Sequence, residues 1–454
     1  MWDLFSSPEG QAVLYLLADC ENLEAISLVN SDGNPSSFEN RVPHFRNLRK
    51  LELLGMGHSH HGRVREVAEI LVSSPDIREL GLSIAGLETQ DDNELLPKLV
   101  HHFSSKVDRP LRLQSLRLGY GFLPVRSNAN YLSDMSDLTL LKKLRLDNDN
   151  IGISSILPDA PIDAKQFASA CNVTSLVAER LSPDILELVI LLESAGQLVS
   201  LSLPRFCDTQ PRARMDESNE FWNSERYDEE IDDLPQWDPA QLFSQPLKQA
   251  GDHWRKVLIG DIFRTSKLSQ DVLSCIATYG RIEDLTLPLP KDMWPQFRED
   301  VIPQLRNLQR LFLVGGDNAC GYGFQSLEIG YSDFVTKPLQ EYNELVRKRD
   351  KEFARHMATF AREVFQTDRD SIAHGDKCAL LKYLGLGEDV YTCMLLPIGA
   401  SCGLAPFSVK KAGETWDYSV VKLAGDEAAI FESIQELTEG VAKLRVGGDD
   451  DPVW

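Results

Sequence analysis

The chain has 454 residues, of which 43% are hydrophobic, so it holds enough apolar material for packed cores and is not a wholly disordered protein. Its formal net charge of −22, from 69 acidic and 47 basic residues, argues against general binding to nucleic acid or to an anionic membrane surface. The eight cysteines form no C-x-x-C pair. They predict reduced, buried thiols in a cytoplasmic or nuclear protein, rather than a disulfide scaffold or a zinc site.

The chain opens on a short apolar run, Ala12–Ala18, that no basic residue precedes. This run is too short to span a bilayer and lacks the charged start of a signal peptide, and no later apolar run reaches membrane-spanning length. We therefore expect Gln11–Ala18 to form the helix of a first structural repeat, and we expect no membrane partner.

One spacing of apolar residues, L-x-x-L-x-L, then recurs every 25 to 36 residues. The ten copies begin at Leu23, Leu48, Ile77, Leu113, Leu141, Val173 and Leu198 and, after a gap, at Trp254, Ile282 and Leu308. Two outlying copies begin at Phe324 and Leu381. The last two apolar residues of each copy alternate with polar ones, which is typical of a short strand with one buried face. Between copies the apolar residues change to helical spacing, as over 64–71.

A single strand and helix cannot bury their apolar side alone, so neighbouring repeats must stack. The pattern predicts an α/β solenoid, a horseshoe with parallel inner strands and outer helices. The segments FRNLRKLELLGM, LTLLKKLRLDN, AGQLVSLSLP and LRNLQRLFLVGG resemble leucine-rich repeats, and their irregular lengths resemble the repeat region of fungal F-box/leucine-rich-repeat proteins.

Two features depart from that family. Its Asn or Cys, three residues after the last strand leucine, is replaced, for example by Met56 and Gly121. The turns are therefore expected to satisfy their backbone groups in another way. The sequence before Gln11 is also too short for an F-box, so no F-box is expected in it.

The repeats are predicted to form a solenoid over 1–331, interrupted by an insertion at 204–253. Between Asp216 and Asp238 the insertion carries ten acidic residues and one basic residue, with four aromatic residues interleaved. Two interpretations remain open: a solvated loop, or an acidic-aromatic segment that docks on a basic surface or on a partner.

The remaining residues, 332–454, are predicted to form an α+β cap, because terminal repeats of a solenoid need covering. A long amphipathic helix is expected over 338–366. Strands follow at Thr392–Ile398, Phe407–Lys410 and Tyr418–Leu423, and a last helix lies between Asp426 and Gly440, before a frayed tail.

No motif for catalysis is present: the sequence has no phosphate-binding glycine loop, nucleophile elbow or zinc-protease helix. The cluster His58, His60 and His61 holds potential metal ligands, but neighbouring side chains in an irregular turn rarely converge on one ion. We therefore predict a non-catalytic protein with no metal and no cofactor.

The inner strand face remains as the candidate binding surface. The residues on either side of the middle apolar residue of each strand point away from the helices. The basic residues at these positions are Lys50, Arg117, Lys143, Arg145, Lys256 and Arg310, and the acidic ones are Glu52, Glu79 and Asp284. An excess of basic residues on so acidic a chain predicts that this face holds a protein partner rather than a small-molecule substrate.

Two other functions remain open at this stage. The family resemblance implies a substrate receptor of a cullin-type ubiquitin ligase, which would need an adaptor-binding segment. The unfamiliar stretch 338–446 leaves room for an enzyme whose site would be a pocket lined by titratable groups.

Overall fold

The structure is a computed structural model that describes residues 8–29, 42–56, 60–84, 95–119, 121–122, 131–147, 171–178, 183–203, 253–259, 270–289, 293–315, 359–375, 378, 381–386, 389–396, 408–410 and 417–423. The chain divides into two compact units: a first unit, Met1–Pro204 with Thr438–Trp454, and a second unit, Arg205–Leu437. The expected solenoid–cap boundary at 331/332 and nearly all of the insertion at 204–253 lie outside the described residues, so both remain predictions.

The first unit contains a parallel sheet of seven strands in chain order. The strands are β1 Ala25–Val29, β2 Lys50–Met56, β3 Glu79–Ile84, β4 Ser115–Leu118, β5 Lys143–Leu146, β6 Ser175–Ala178 and β7 Ser200–Leu203. The helices are α1 Pro8–Ala18, α2 His60–Ser73, α3 Leu95–Ser104, α4 Tyr131–Met135 and α5 Pro183–Ser194. A 3₁₀ turn, Leu138–Leu140, begins where the Asp137 side chain accepts a hydrogen bond from the Thr139 N–H.

The middle apolar residue of each repeat lies in one register row across this sheet. The row contains Ile26, Leu51, Leu80, Leu116, Leu144, Leu176 and Leu201, each between 0 and 7% exposed. The apolar residues of the helices, such as Val67 and Leu99, are also buried, so sheet and helices share a core. The parallel strands and the buried row predicted from the apolar spacing are confirmed.

A backbone ladder fixes the register where each strand begins. The Glu24 carbonyl accepts hydrogen bonds from the N–H groups of both Arg49 and Lys50, at 2.7 and 3.1 Å. The Arg49 carbonyl accepts from the N–H groups of Arg78 and Glu79 in the next repeat in the same way, and the pattern continues to β7. Because each strand is anchored at the same height, equivalent residues of successive repeats become lateral neighbours.

The turns after β2 and β4 contain glycine residues in the left-handed region. Gly55 and Gly121 have φ values of 72° and 79°, a region that favours glycine. The Gly55 N–H donates to Ser83 Oγ at 2.9 Å. The prediction that the turns satisfy their backbone groups in another way is confirmed for the turn after β2.

The second unit contains four parallel strands followed by three antiparallel ones. The parallel strands are β8 Lys256–Ile259, β9 Asp284–Leu289, β10 Arg310–Gly315 and β11 Tyr383–Leu386. The antiparallel strands are β12 Asp389–Leu396, β13 Ser408–Lys410 and β14 Asp417–Leu423. The helices are α6 Gln270–Ala277, α7 Trp294–Gln296 and α8 at 359–373. Helix α7 continues as a π turn, Phe297–Val301, and then as a 3₁₀ turn, Ile302–Gln304.

The outlying repeat at Leu381 is a strand, while the one at Phe324 lies outside the described residues. The three strands expected in the C-terminal part are present as β12, β13 and β14. The helix expected between Asp426 and Gly440 lies outside the described residues.

The predicted end of the long helix, at Gln366, is wrong. Helix α8 continues to residue 373, and its Phe360 and Val364 side chains are buried. The next turn of its buried side is occupied by Asp368, which is 1% exposed and whose Oδ2 accepts the Leu381 N–H at 2.9 Å. The apolar pattern stops because a hydrogen-bonded carboxylate replaces an apolar side chain, although the helix continues.

The four cysteines whose side chains the structure describes are all free thiols, but only two of them are buried. Cys171 and Cys275 are buried, and burial raises the pKa of the Cys171 thiol. Cys20 and Cys378 are exposed, contrary to the prediction of buried thiols. Cys20 lies in the turn after α1. Among the described helices, none combines the length and the apolar character that crossing a membrane requires.

Candidate functional site

The strand face of the first unit is the side of β1–β7 that carries the first and third residues of each strand. The first residues are Ala25, Lys50, Glu79, Ser115, Lys143, Ser175 and Ser200. The third residues are Ser27, Glu52, Gly81, Arg117, Arg145, Val177 and Ser202. Because the strands are parallel and in register, each set forms a continuous row across the sheet.

At β2 and β3 the charges on this face are paired. Lys50 Nζ lies 3.2 Å from Glu52 Oε2 and 3.6 Å from Glu79 Oε2. Ser27 Oγ donates to Glu52 Oε2 at 2.7 Å. A Cβ at Gly81 would lie 2.9 Å from Glu52 Cγ, so the Glu52 side chain occupies the space above this glycine. This end of the face carries two acids and one base.

At β4 and β5 two arginines share one carboxylate. Arg117 and Arg145 are register neighbours, and their Nε groups donate to Asp147 Oδ2 at 2.6 Å and to Oδ1 at 2.7 Å. The side chains of Arg117, Arg145 and Asp147 are 17, 23 and 11% exposed. Short, charge-assisted bonds of this kind fix the orientation of both guanidinium groups.

Lys143 completes a basic surface beside this cluster. It is the first residue of β5, lies in register between Ser115 and Ser175, and is exposed. Lys143 forms no ion pair with any residue that the structure describes. We call Arg117, Lys143, Arg145 and Asp147 the β4–β5 patch; it holds three bases and one acid.

The corresponding side of the second unit is more covered. Its third-position residues Leu258, Thr286 and Phe312 are 0, 3 and 4% exposed. The guanidinium of Arg310 is paired with both carboxylate oxygens of Asp284, and Lys256 is half-buried. Of the strand positions that the structure describes, those of the first unit are therefore more open to a partner.

The six predicted binding residues are thus separated into groups. The structure brings Arg117, Lys143 and Arg145 together on two neighbouring strands, whereas Lys50 belongs to the paired group at β2 and β3. Lys256 and Arg310 lie in the second unit. Sequence reasoning missed Asp147, which lies just past β5. The alternation of Lys143 and Arg145 continues to it, so this signal was present in the sequence.

Two residues of the histidine cluster, His60 and His61, lie at the start of a helix, whereas an irregular turn was expected for the cluster. Helix α2 begins at His60, while His58 and the side chains of His60 and His61 lie outside the described residues. Elsewhere in the described ranges, no three His, Cys, Asp or Glu side chains come close enough to hold a metal ion. Whether the cluster binds a metal remains a prediction.

No protein-family model matches the chain, and no curated protein matches its sequence. What can be inferred about its function therefore depends on the repeat pattern and on the geometry of the strand face.

Proposed function

We propose that this chain is a non-catalytic recognition scaffold of the leucine-rich-repeat kind, which holds an acidic protein partner on the strand face of its first unit. The observation that carries this proposal is the β4–β5 patch, in which two oriented arginines adjoin an exposed lysine. The repeat architecture is supported by the strand register and by the buried row of Leu51, Leu116 and their equivalents.

The patch suits a carboxylate ligand because its arginines are oriented before a partner arrives. Asp147 holds the Arg117 and Arg145 side chains, so less side-chain entropy is lost on binding than with two free arginines. Lys143 adds an exposed charge that attracts a carboxylate over a distance of about 8 Å at physiological salt.

The neighbouring part of the same face argues for a protein partner over a nucleic acid. Glu52 and Glu79 outnumber Lys50 at β2 and β3, and β3 is the direct neighbour of β4, which carries Arg117. A continuous polyanion crossing the sheet would meet repulsion there, in addition to the net charge of −22. A folded protein can place acidic groups on the β4–β5 patch and neutral or basic groups on β2 and β3.

The proposal is tested by reversing one charge and comparing the proteins that bind. Lys143→Glu changes the charge of the patch, while Lys142→Glu makes the same change at the preceding exposed residue, outside the row of strand-face residues. We expect proximity labelling in the native cells to lose acidic proteins with Lys143→Glu and to keep them with Lys142→Glu. In a cell extract, salt above ~0.15 M should weaken the binding of the same acidic proteins to the wild type. Identical labelling by all three proteins would contradict the proposal.

A further inference from the structure

The positive charge of the β4–β5 patch is confined to two strands. The register neighbours on β3 are an acid and a glycine, Glu79 and Gly81, and those on β6 are uncharged, Ser175 and Val177. The excess of basic residues therefore spans only β4 and β5, which lie about 4.8 Å apart. A compact ligand with concentrated negative charge fits this area, whereas a long row of separate acidic groups would extend beyond it.

The formal charge of the patch matches a doubly charged group. Asp147 offsets one of the three bases, so the four residues together carry a net charge of +2. A single carboxylate has one negative charge and two oxygens, and it would leave the patch positive. A phosphomonoester carries about −1.5 to −2 at pH 7 and presents three acceptor oxygens. It therefore balances the patch with one group.

The donors of the patch come from neighbouring positions of β4 and β5. Arg117 and Arg145 are register neighbours, as are Ser115 and Lys143, and the two pairs lie about 6.6 Å apart along the strands. Each guanidinium has five N–H donors, and Asp147 accepts one Nε–H from each arginine. Arginine and lysine are the side chains that proteins use to bind phosphate. Side chains as long as these can reach a single phosphate group above the two strands.

We propose that the β4–β5 patch binds one phosphorylated side chain of the protein partner. This inference rests on the proposed recognition function and specifies the acidic group that the partner presents. Arg117 and the exposed Lys143 donate N–H groups to the phosphate oxygens, and Arg145 contributes positive charge at the next register position. Glu79, on the neighbouring strand β3, repels a second phosphate beside the first, so the patch recognises a single modification.

The test measures the binding of the full-length protein to two synthetic peptide libraries that differ at one fixed position. One library has phosphoserine at this position and the other has glutamate, with random residues elsewhere. We expect the phosphoserine library to bind roughly tenfold more tightly, the change expected for one additional hydrogen bond between charged groups. Lys143→Glu should remove this preference, and Lys142→Glu, at the preceding exposed residue, should keep it.

Three results of these measurements would overturn the inference. The first is equal binding of the two libraries, and the second is a phosphoserine preference that Lys143→Glu leaves unchanged. The third is tighter binding to vesicles that contain a phosphoinositide than to the phosphoserine library, because the phosphate would then belong to a lipid.

Phosphatase treatment separates this inference from the proposed function. Acidic proteins that the wild type captures from a native cell extract, and that Lys143→Glu loses, should also be lost when the extract is first treated with phosphatase. If phosphatase leaves the capture unchanged while Lys143→Glu removes it, the partner presents carboxylates, so the inference fails and the proposed function stands. If Lys143→Glu leaves the capture unchanged, the proposed function fails as well.

Discussion

Truncating Leu144 tests the packing of the repeats. Leu144 is 1% exposed on β5, between Leu116 on β4 and Leu176 on β6, which are 1% and 0% exposed. Leu144→Ala removes roughly three buried carbon atoms, worth about 0.8 kcal/mol each. The cavity left behind adds to this loss, because strands on both sides prevent the backbone from closing it. Such truncations lower stability by ~2–5 kcal/mol, and we expect the loss for Leu144→Ala to lie in the upper half of this range.

The matched comparisons are Ile26→Ala and Lys142→Ala. Ile26 is 7% exposed on the edge strand β1 and has one strand neighbour in the described sheet, so relaxation should keep its loss in the lower half of that range. Lys142 is exposed, and its truncation should cost less than ~0.5 kcal/mol. Native-state hydrogen exchange gives the free energy of opening, from peptides of β4–β6 for Leu144→Ala and Lys142→Ala and from peptides of β1 and β2 for Ile26→Ala. If Leu144→Ala lowers the free energy of opening by less than ~0.5 kcal/mol, Leu144 is not a core residue and the strand register is wrong.

Three further predictions concern other parts of the chain. Asp147→Asn removes the charge shared by Arg117 and Arg145, so thermal unfolding should show a loss of about 1–3 kcal/mol, and an unchanged stability would refute the shared ion pair. Gly385→Ala places a Cβ within the ring of Phe312, so overpacking should cost ~1–3 kcal/mol in urea unfolding, whereas a neutral effect would place the ring elsewhere. Elemental analysis of the purified protein should find no stoichiometric transition metal. Stoichiometric zinc that is lost when His58, His60 and His61 are replaced by alanine would contradict this prediction.

The strands could be predicted from the sequence because their signal is local and repeated. Apolar and polar residues alternate over about five residues of each repeat, which gives each strand one buried face. Because every repeat has the same spacing of apolar residues, these faces are equivalent, and the strands stack in parallel and in register. The same reasoning placed Arg117 and Arg145 on neighbouring strands. The sequence-based prediction considered no residue beyond the last leucine of each strand. For that reason it missed Asp147, which continues the alternation and orients both arginines.

Other features depend on contacts between distant parts of the chain and leave no local pattern. The burial of Thr286 and Phe312 cannot be read from the alternation of β9 and β10, which predicts an exposed position at each. Helix α8 extends past its apolar stripe because Asp368 is satisfied by the N–H of Leu381, thirteen residues later. In both cases a tertiary contact, rather than an intrinsic preference, decides which side chain is buried.

Cross-linking from the strand face tests the central claim most directly. A photoreactive amino acid at Ser175, beside Lys143 on the strand face, is compared in native cells with the same residue at Glu187, an exposed position on α5. We predict that the Ser175 probe captures an acidic protein, that the capture is lost when Lys143→Glu is added, and that the Glu187 probe does not capture it. Capture of that protein from Glu187 alone, or capture from Ser175 that Lys143→Glu leaves unchanged, would contradict a partner site on the β4–β5 patch.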